Sequence, residues 1–203
     1  EQGEGLVVPL GAVDPAWPDW QEDLRRVDEV YGMPGIKLYP SYQNYTLDEP
    51  VVEALIRRAT ERNLLIVIAV DMEDERVHHP RLEITAADVR PLADILTNIP
   101  DAKVLLANPF RHVRGERLRM MVEETNVFFD LSRLEGTAGI YKLIDGSHWF
   151  LDTPVPVDRL LFGSHAPFFP VENALLKLME SPLTEAQAQA IMYENAERLN
   201  IQA

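Results

Sequence analysis

The segment Asp71-Met72-Glu73-Asp74-Glu75-Arg76-Val77-His78-His79 holds four carboxylates, one Arg and two His within nine positions. Carboxylate oxygens and neutral imidazoles are natural ligands of a divalent metal, and the same groups carry general acid–base chemistry. The composition equally suits a solvated acidic loop whose charges pair with one another. His165 stands among small residues in Gly163-Ser164-His165-Ala166-Pro167. An imidazole there reads as a ligand or general base, or as a hydrogen-bonded structural group. Lys37 is flanked by Ile36 and Leu38. Lys37 reads as pointing into a barrel or as an outward-facing residue near the rim, and in the second case Ile36 and Leu38 would face inward. An ammonium inside a barrel needs a carboxylate, a carbamate or a substrate anion. Arg111 and Arg133 can grip a substrate carboxylate through two parallel N–H bonds, or serve as rim ion-pair residues. The candidate catalytic set is therefore His165, Lys37, Asp71 and Glu73. Tyr39, Asn108, Arg111 and Arg133 are the candidate substrate contacts. His165, His78, His79 and Asp74 are the candidate metal donors. His112 reads either way, and His148 with Trp149 reads as packing.

These residues need elements to position them. Apolar runs recur at Leu6–Leu10, Ile36–Tyr39, Leu64–Val70, Val104–Ala107, Val127–Leu131 and Leu160–Gly163. Most are continuous rather than alternating, the mark of strands covered on both faces in a parallel sheet. Helical patterns lie between them. Asp48 is the expected cap of a helix with Pro50 in its first turn and Val51, Val52, Leu55, Ile56 and Ala59 on its apolar face. Thr85 with Asp88 resembles a capping box, with Pro91 about two turns on, so that helix kinks or starts late. A short helix is expected over Gly115–Glu124, another after Pro170, and a last one capped by Thr184. Strand and helix in repeated alternation predict right-handed βαβ units. An open doubly wound sheet and a (β/α)8 barrel compete, and both put their chemistry at the carboxyl ends of the strands. The candidate residues follow the apolar runs, save Lys37 and Tyr39 within one.

Composition narrows the function. The 203 residues carry 19 basic and 33 acidic side chains, a formal charge of -14, and no Cys. Absence of Cys excludes a disulfide framework, a zinc ribbon and a Cys nucleophile. The acidic balance argues against nucleic-acid and anionic-membrane partners. No apolar stretch approaches the roughly 20 residues of a membrane span. A soluble, cytoplasmic protein is expected. No GxGxxG, GKS/T, GxSxG or HExxH motif occurs, which lowers nucleotide folds, serine hydrolases and zincins. The opening Glu1-Gln2-Gly3-Glu4 has neither a Met start nor a signal peptide, and reads as a chain with sequence missing upstream.

Gly35-Ile36-Lys37-Leu38-Tyr39-Pro40, followed by Gln43 and Tyr45, resembles the third-strand segment of the amidohydrolase superfamily, in its amidohydrolase-related (amidohydrolase 2) branch. So do Arg159-Leu160-Leu161-Phe162-Gly163-Ser164-His165-Ala166-Pro167 and the tail Asn195-Ala196-Glu197-Arg198-Leu199. The resemblance covers nearly the whole chain. It implies a distorted (β/α)8 barrel, with zinc or a similar divalent metal at its mouth. A metal-activated water there would serve hydrolysis or decarboxylation of small ring or carboxylate substrates. It also implies a His-x-His pair on a first strand, which this sequence does not contain. Ala69, Asn108 and His165 stand where the branch places two further His and its catalytic Asp. The metal site is therefore expected to be lost, or rebuilt from Asp71, Glu73, Asp74, His78, His79 and His165.

A barrel typically takes about 250 residues. The expectation is a single domain over residues 1–203, a TIM-like barrel lacking its first strand. Two functions compete: a hydrolase or decarboxylase of a small molecule with an altered or absent metal site, and a non-catalytic barrel that binds a ligand or protein partner. A homo-oligomer is compatible with either.

Overall fold

The computed structural model of the chain describes residues 7–72, 81, 84–134, 139–149 and 151–199. Six parallel strands form one sheet: β1 (Gly11–Ala12), β2 (Gly35–Leu38), β3 (Leu65–Ala69), β4 (Val104–Ala107), β5 (Phe128–Asp130) and β6 (Leu160–Leu161). Their spatial order is their chain order. A doubly wound sheet reverses direction at a switch point. This sheet has no reversal, so the wiring is that of a (β/α) barrel.

Between the strands run α1 (Trp20–Arg25, extended by a π-helical turn, Arg26–Val30), α2 (Pro40–Gln43), α3 (Pro50–Glu61), α4 (Pro91–Asn98), α5 (Glu116–Glu123) and α6 (Ile140–Asp145). After β6 come α7 (Val171–Glu180), α8 (Glu185–Gln189), a π-helical turn (Ala190–Glu194) and α9 (Asn195–Arg198). Among the described residues no helix is long and apolar enough to cross a membrane.

Side-chain alternation divides the sheet into two faces. Ile36, Leu38, Ile66, Ile68, Leu106, Phe129 and Leu160 face the helices and join Leu55, Ile56, Leu92, Leu118 and Met121 in the main core. Leu65, Val67, Ala107 and Leu161 face the other way, against Leu10, Phe128, Ala196 and Leu199. Register fixes what shares this inner face. Ala12 pairs with Lys37, Lys37 with Val67, Val67 with Leu105, and Leu105 with Phe128. One layer nearer the carboxyl ends lie the pairs Ala69–Ala107 and Asp130–Leu161.

Several local expectations are corrected. The first strand lies just after the apolar run Leu6–Leu10, at Gly11–Ala12, while Val7 is exposed. Strand β1 passes close over the helix that follows: a Cβ on Gly11 would lie 2.1 Å from Val27 Cγ2. Glu49, not Asp48, is the N-cap residue of α3, and its carboxylate accepts from the Thr46 N–H at 3.0 Å. Thr85 and Asp88 form no capping box, because α4 begins only at Pro91. Asp88 instead binds the Arg90 guanidinium. Trp149 is exposed although His148 beside it is buried. The Thr184 cap is present, with a reciprocal bond pair to Gln187.

Candidate active site

Lys37 sits on the inner face of β2, half-buried, with Nζ 5.3 Å from the centroid of the Tyr39 ring. Ile36 and Leu38 are fully buried on the helix side, which leaves the lysine no other direction. Burial pushes its ammonium below the ordinary lysine range, and the Asp130 charge opposes this only in part. Burial alone also raises the Tyr39 phenol.

Asp71 follows β3. Its carboxylate accepts from Arg133 Nη1 at 2.6 Å, and His112 Nε2 lies 3.1 Å from the same oxygen. Burial by itself would raise this carboxyl. The His112 bond and the Arg133 guanidinium outweigh it and hold Asp71 below the ordinary carboxylate range. Asn108 follows β4 and is buried. Its side-chain amide donates to the Asp71 carbonyl at 2.8 Å, and its backbone N–H donates to Asp130 Oδ1 at 2.8 Å.

Asp130 closes β5 on the inner face. It was read only as part of an apolar strand, and the structure brings it to the centre of the cluster. The signal was present in Phe128-Phe129-Asp130-Leu131: a carboxylate two residues after Phe128 must share its inner face. The Ser132 hydroxyl lies within hydrogen-bond reach of both Asp130 Oδ1 (2.7 Å) and Asn108 Oδ1. A hydroxyl has one proton to donate, so it serves one of these two acceptors at a time, while Asp130 Oδ1 also accepts from the Asn108 backbone N–H. Burial pushes the Asp130 carboxyl up, and the bonds from Ser132 and Asn108 only partly offset this. Gly163, just beyond β6, makes room for the group: a Cβ there would lie 3.0 Å from Asp130 Oδ2.

His165 donates from Nε2 to the Met72 carbonyl at 3.0 Å, which leaves Nδ1 as the acceptor nitrogen. Its ring stacks on Phe168 at 5.2 Å. Burial lowers its pKa, and the Arg133 and Lys37 charges add to that despite the Met72 bond. Both cations therefore act on one imidazole.

Arg133 is the least satisfied member. Its side chain is 3% exposed, yet Nε and Nη2 are buried without a hydrogen-bond partner. It also occupies the left-handed region, at φ +64°, as do Asn108 (+54°) and His165 (+55°). Asn tolerates that region, whereas other residues pay roughly 1 kcal/mol or more. Among the described non-glycine residues with positive φ, Arg133 and His165 alone are neither Asn nor Asp. Among the described residues, backbone strain is thus placed at the carboxyl ends of β5 and β6.

The remaining predicted residues divide plainly. Arg111 is half-buried after β4, and no hydrogen bond or ion pair joins it to the cluster among the described residues. Glu73, Asp74, His78 and His79 lie outside the described residues. Among those described, no three His, Asp or Glu side chains stand together as a metal group. Ala69 offers no donor, the Asn108 amide is engaged, and the Asp71 carboxylate faces a guanidinium. The described residues therefore do not fit a divalent cation.

A family model described as amidohydrolase matches residues 2–199. No curated protein matches the chain by sequence. An uncharacterized TIM-barrel protein from Bordetella bronchiseptica superposes with TM-score 0.72 at 18% identity, over 95% of this chain and 66% of that one. A 5-carboxyvanillate decarboxylase from Sphingomonas paucimobilis gives TM-score 0.66 at 13% identity, over 96% and 66%. A dihydroxybenzoic acid decarboxylase from a Polaromonas species, with bound manganese and the inhibitor 2-nitroresorcinol, gives TM-score 0.61 at 16% identity, over 88% and 64%. The chain spans just under two thirds of the length of each of these structures.

Proposed function

The chain belongs to the amidohydrolase family, and from that premise we propose that its strand ends bind a small carboxylate-bearing molecule and cleave a C–C or C–N bond in it. The observation that carries this reading is the buried Arg133 guanidinium, two of whose nitrogens, Nε and Nη2, have no hydrogen-bond partner among the described residues. Unmatched buried donors cost roughly 1–3 kcal/mol. A carboxylate that accepts from both removes that cost and adds a charge-assisted pair.

The acid–base assignment follows from environment. Asp71 is held ionised by Arg133 and His112, so it positions those two residues and takes no proton. Asp130 is pushed the other way, towards the protonated form, by its burial. Two carboxylates driven apart in this manner mark an acid and a spectator. His165 offers Nδ1 as a base of fixed tautomer, and Tyr39 and Lys37 border the same inner face. Relatives include decarboxylases, one of them with bound manganese. No step is assigned to a metal here, because the described donors suit an anion better than a cation.

The test is calorimetric titration of the full chain with benzoate, 2,6-dihydroxybenzoate and short aliphatic carboxylates, each against its amide, with metal analysis of the same sample. Carboxylates should bind, amides should not, and R133A should lose the binding. Equal binding of acid and amide would overturn the anion site. Stoichiometric metal would overturn the metal-free assignment. Binding without turnover would favour a barrel that only holds its ligand.

A further inference from the structure

We infer that Lys37 is an amine catalyst, whose Nζ forms an imine with the carbonyl of a keto acid held through its carboxylate by Arg133. The inference rests on the anion-site reading above and deepens it by naming the substrate class.

Lys37 is placed unlike the other lysines of the chain. Lys103 donates to Asn63 Oδ1 at 2.8 Å, Lys142 lies 5.9 Å from the Tyr141 ring, and Lys177 is on α7. Lys37 alone is on the inner face of the sheet. Among the described residues it makes no hydrogen bond and no ion pair, only the contact with the Tyr39 ring. Burial disfavours the ammonium there, the Asp130 charge opposes this only in part, and the free amine is the nucleophile. Ala12 beside it and the Ala69–Ala107 pair one layer above present only methyl groups. Asp130 shares that upper layer, with Gly163 against its carboxyl.

The step balances with the groups present. The amine pair attacks the carbonyl carbon, a C–N bond forms, and the C=O π pair moves to oxygen. That oxygen leaves as water with one proton from the amine and one from Asp130, and a C=N iminium remains. In a substrate with a hydroxyl one carbon further on, the C–C bond β to the iminium carbon then breaks: its pair forms an enamine, the hydroxyl proton passes to His165 Nδ1, and that fragment leaves as an aldehyde. Protonation at carbon and addition of water return the product carbonyl and the free Lys37.

The experiment incubates the full chain with pyruvate or phenylpyruvate and cyanoborohydride, which fixes imines as stable amines, and maps the added mass by peptide spectrometry. Label should collect on Lys37 well above Lys103, Lys142 and Lys177, fall when benzoate competes, and vanish in Lys37→Arg with the circular dichroism unchanged. Label spread evenly over the four lysines, while calorimetry shows the keto acid bound, would overturn the role of Lys37 and leave the anion site standing. Failure of every carboxylate to bind would overturn both. If Lys37→Arg does not fold, benzoate protection of Lys37 in the wild-type chain decides alone.

Discussion

Asp71 and Asp130 are carboxylates at the ends of strands β3 and β5, joined through Asn108, and they live in opposite environments. Asp71 has a guanidinium at 2.6 Å and an imidazole at 3.1 Å on one oxygen. Asp130 has no cation within ion-pair distance among the described residues; it accepts from the Asn108 backbone N–H at 2.8 Å and from the Ser132 hydroxyl, whose one proton also faces Asn108 Oδ1. The first is a finished interaction whose purpose is placement. The second is incomplete, and incompleteness at the mouth of a barrel is what a substrate can use. The Arg133 guanidinium belongs to both: one nitrogen serves Asp71, and two are left over.

Breaking the finished half should give the largest effect. Arg133→Ala leaves the Asp71 charge buried with only His112 beside it. Removing one partner of a buried ion pair costs about 3–5 kcal/mol, and urea unfolding should show a loss of that order. Asp71→Asn combined with Arg133→Met removes both charges at similar volume and should recover most of it. If the single and double variants are equally unstable, the pair does not hold the mouth together. The unfinished half should respond with the opposite sign. Asp130→Asn keeps the shape, donates to Ser132 without a titrating proton, and removes a charge that burial disfavours. It should gain about 1 kcal/mol in the same experiment while abolishing turnover. A loss of stability would mean that Asp130 is held ionised, and would remove it as the acid.

The central strands of the sheet were legible in the sequence because their physics is local. Leu64–Val70 and Val104–Ala107 are apolar enough to read as buried strands, and β3 and β4 lie within those bounds. Lys37, Asp71, Asn108, Arg133 and His165 were legible as candidates because strand ends are where polar residues gather in this fold. What each does was not. Arg133 meets Asp71 across 62 residues, and His112 meets it across 41. Spacing in sequence says nothing about such pairs. Asp130 is hidden by its apolar neighbours, and Thr85 fails as a cap because a capping pattern cannot show that the helix begins only at Pro91.

The comparison also has a pH signature, the smallest of these effects. The folded Asp71 carboxyl lies below its ordinary value of 3.8. Its contribution to stability is therefore present above that pH and lost as pH falls through the folded value. The folded Asp130 carboxyl lies above 3.8, so its contribution is complete below that pH and lost as pH rises through the folded value. The stability gap between wild type and Asp71→Asn should then close on acidification. The advantage of Asp130→Asn over wild type should open as pH rises from the acid side and level off once Asp130 is ionised. Denaturant midpoints of the three proteins from acid to neutral pH measure both slopes on one plot. If both variants lost stability relative to wild type as pH rises, or both gained it, the carboxylates would share one environment, and the division of the mouth into a fixed half and a reactive half would fail.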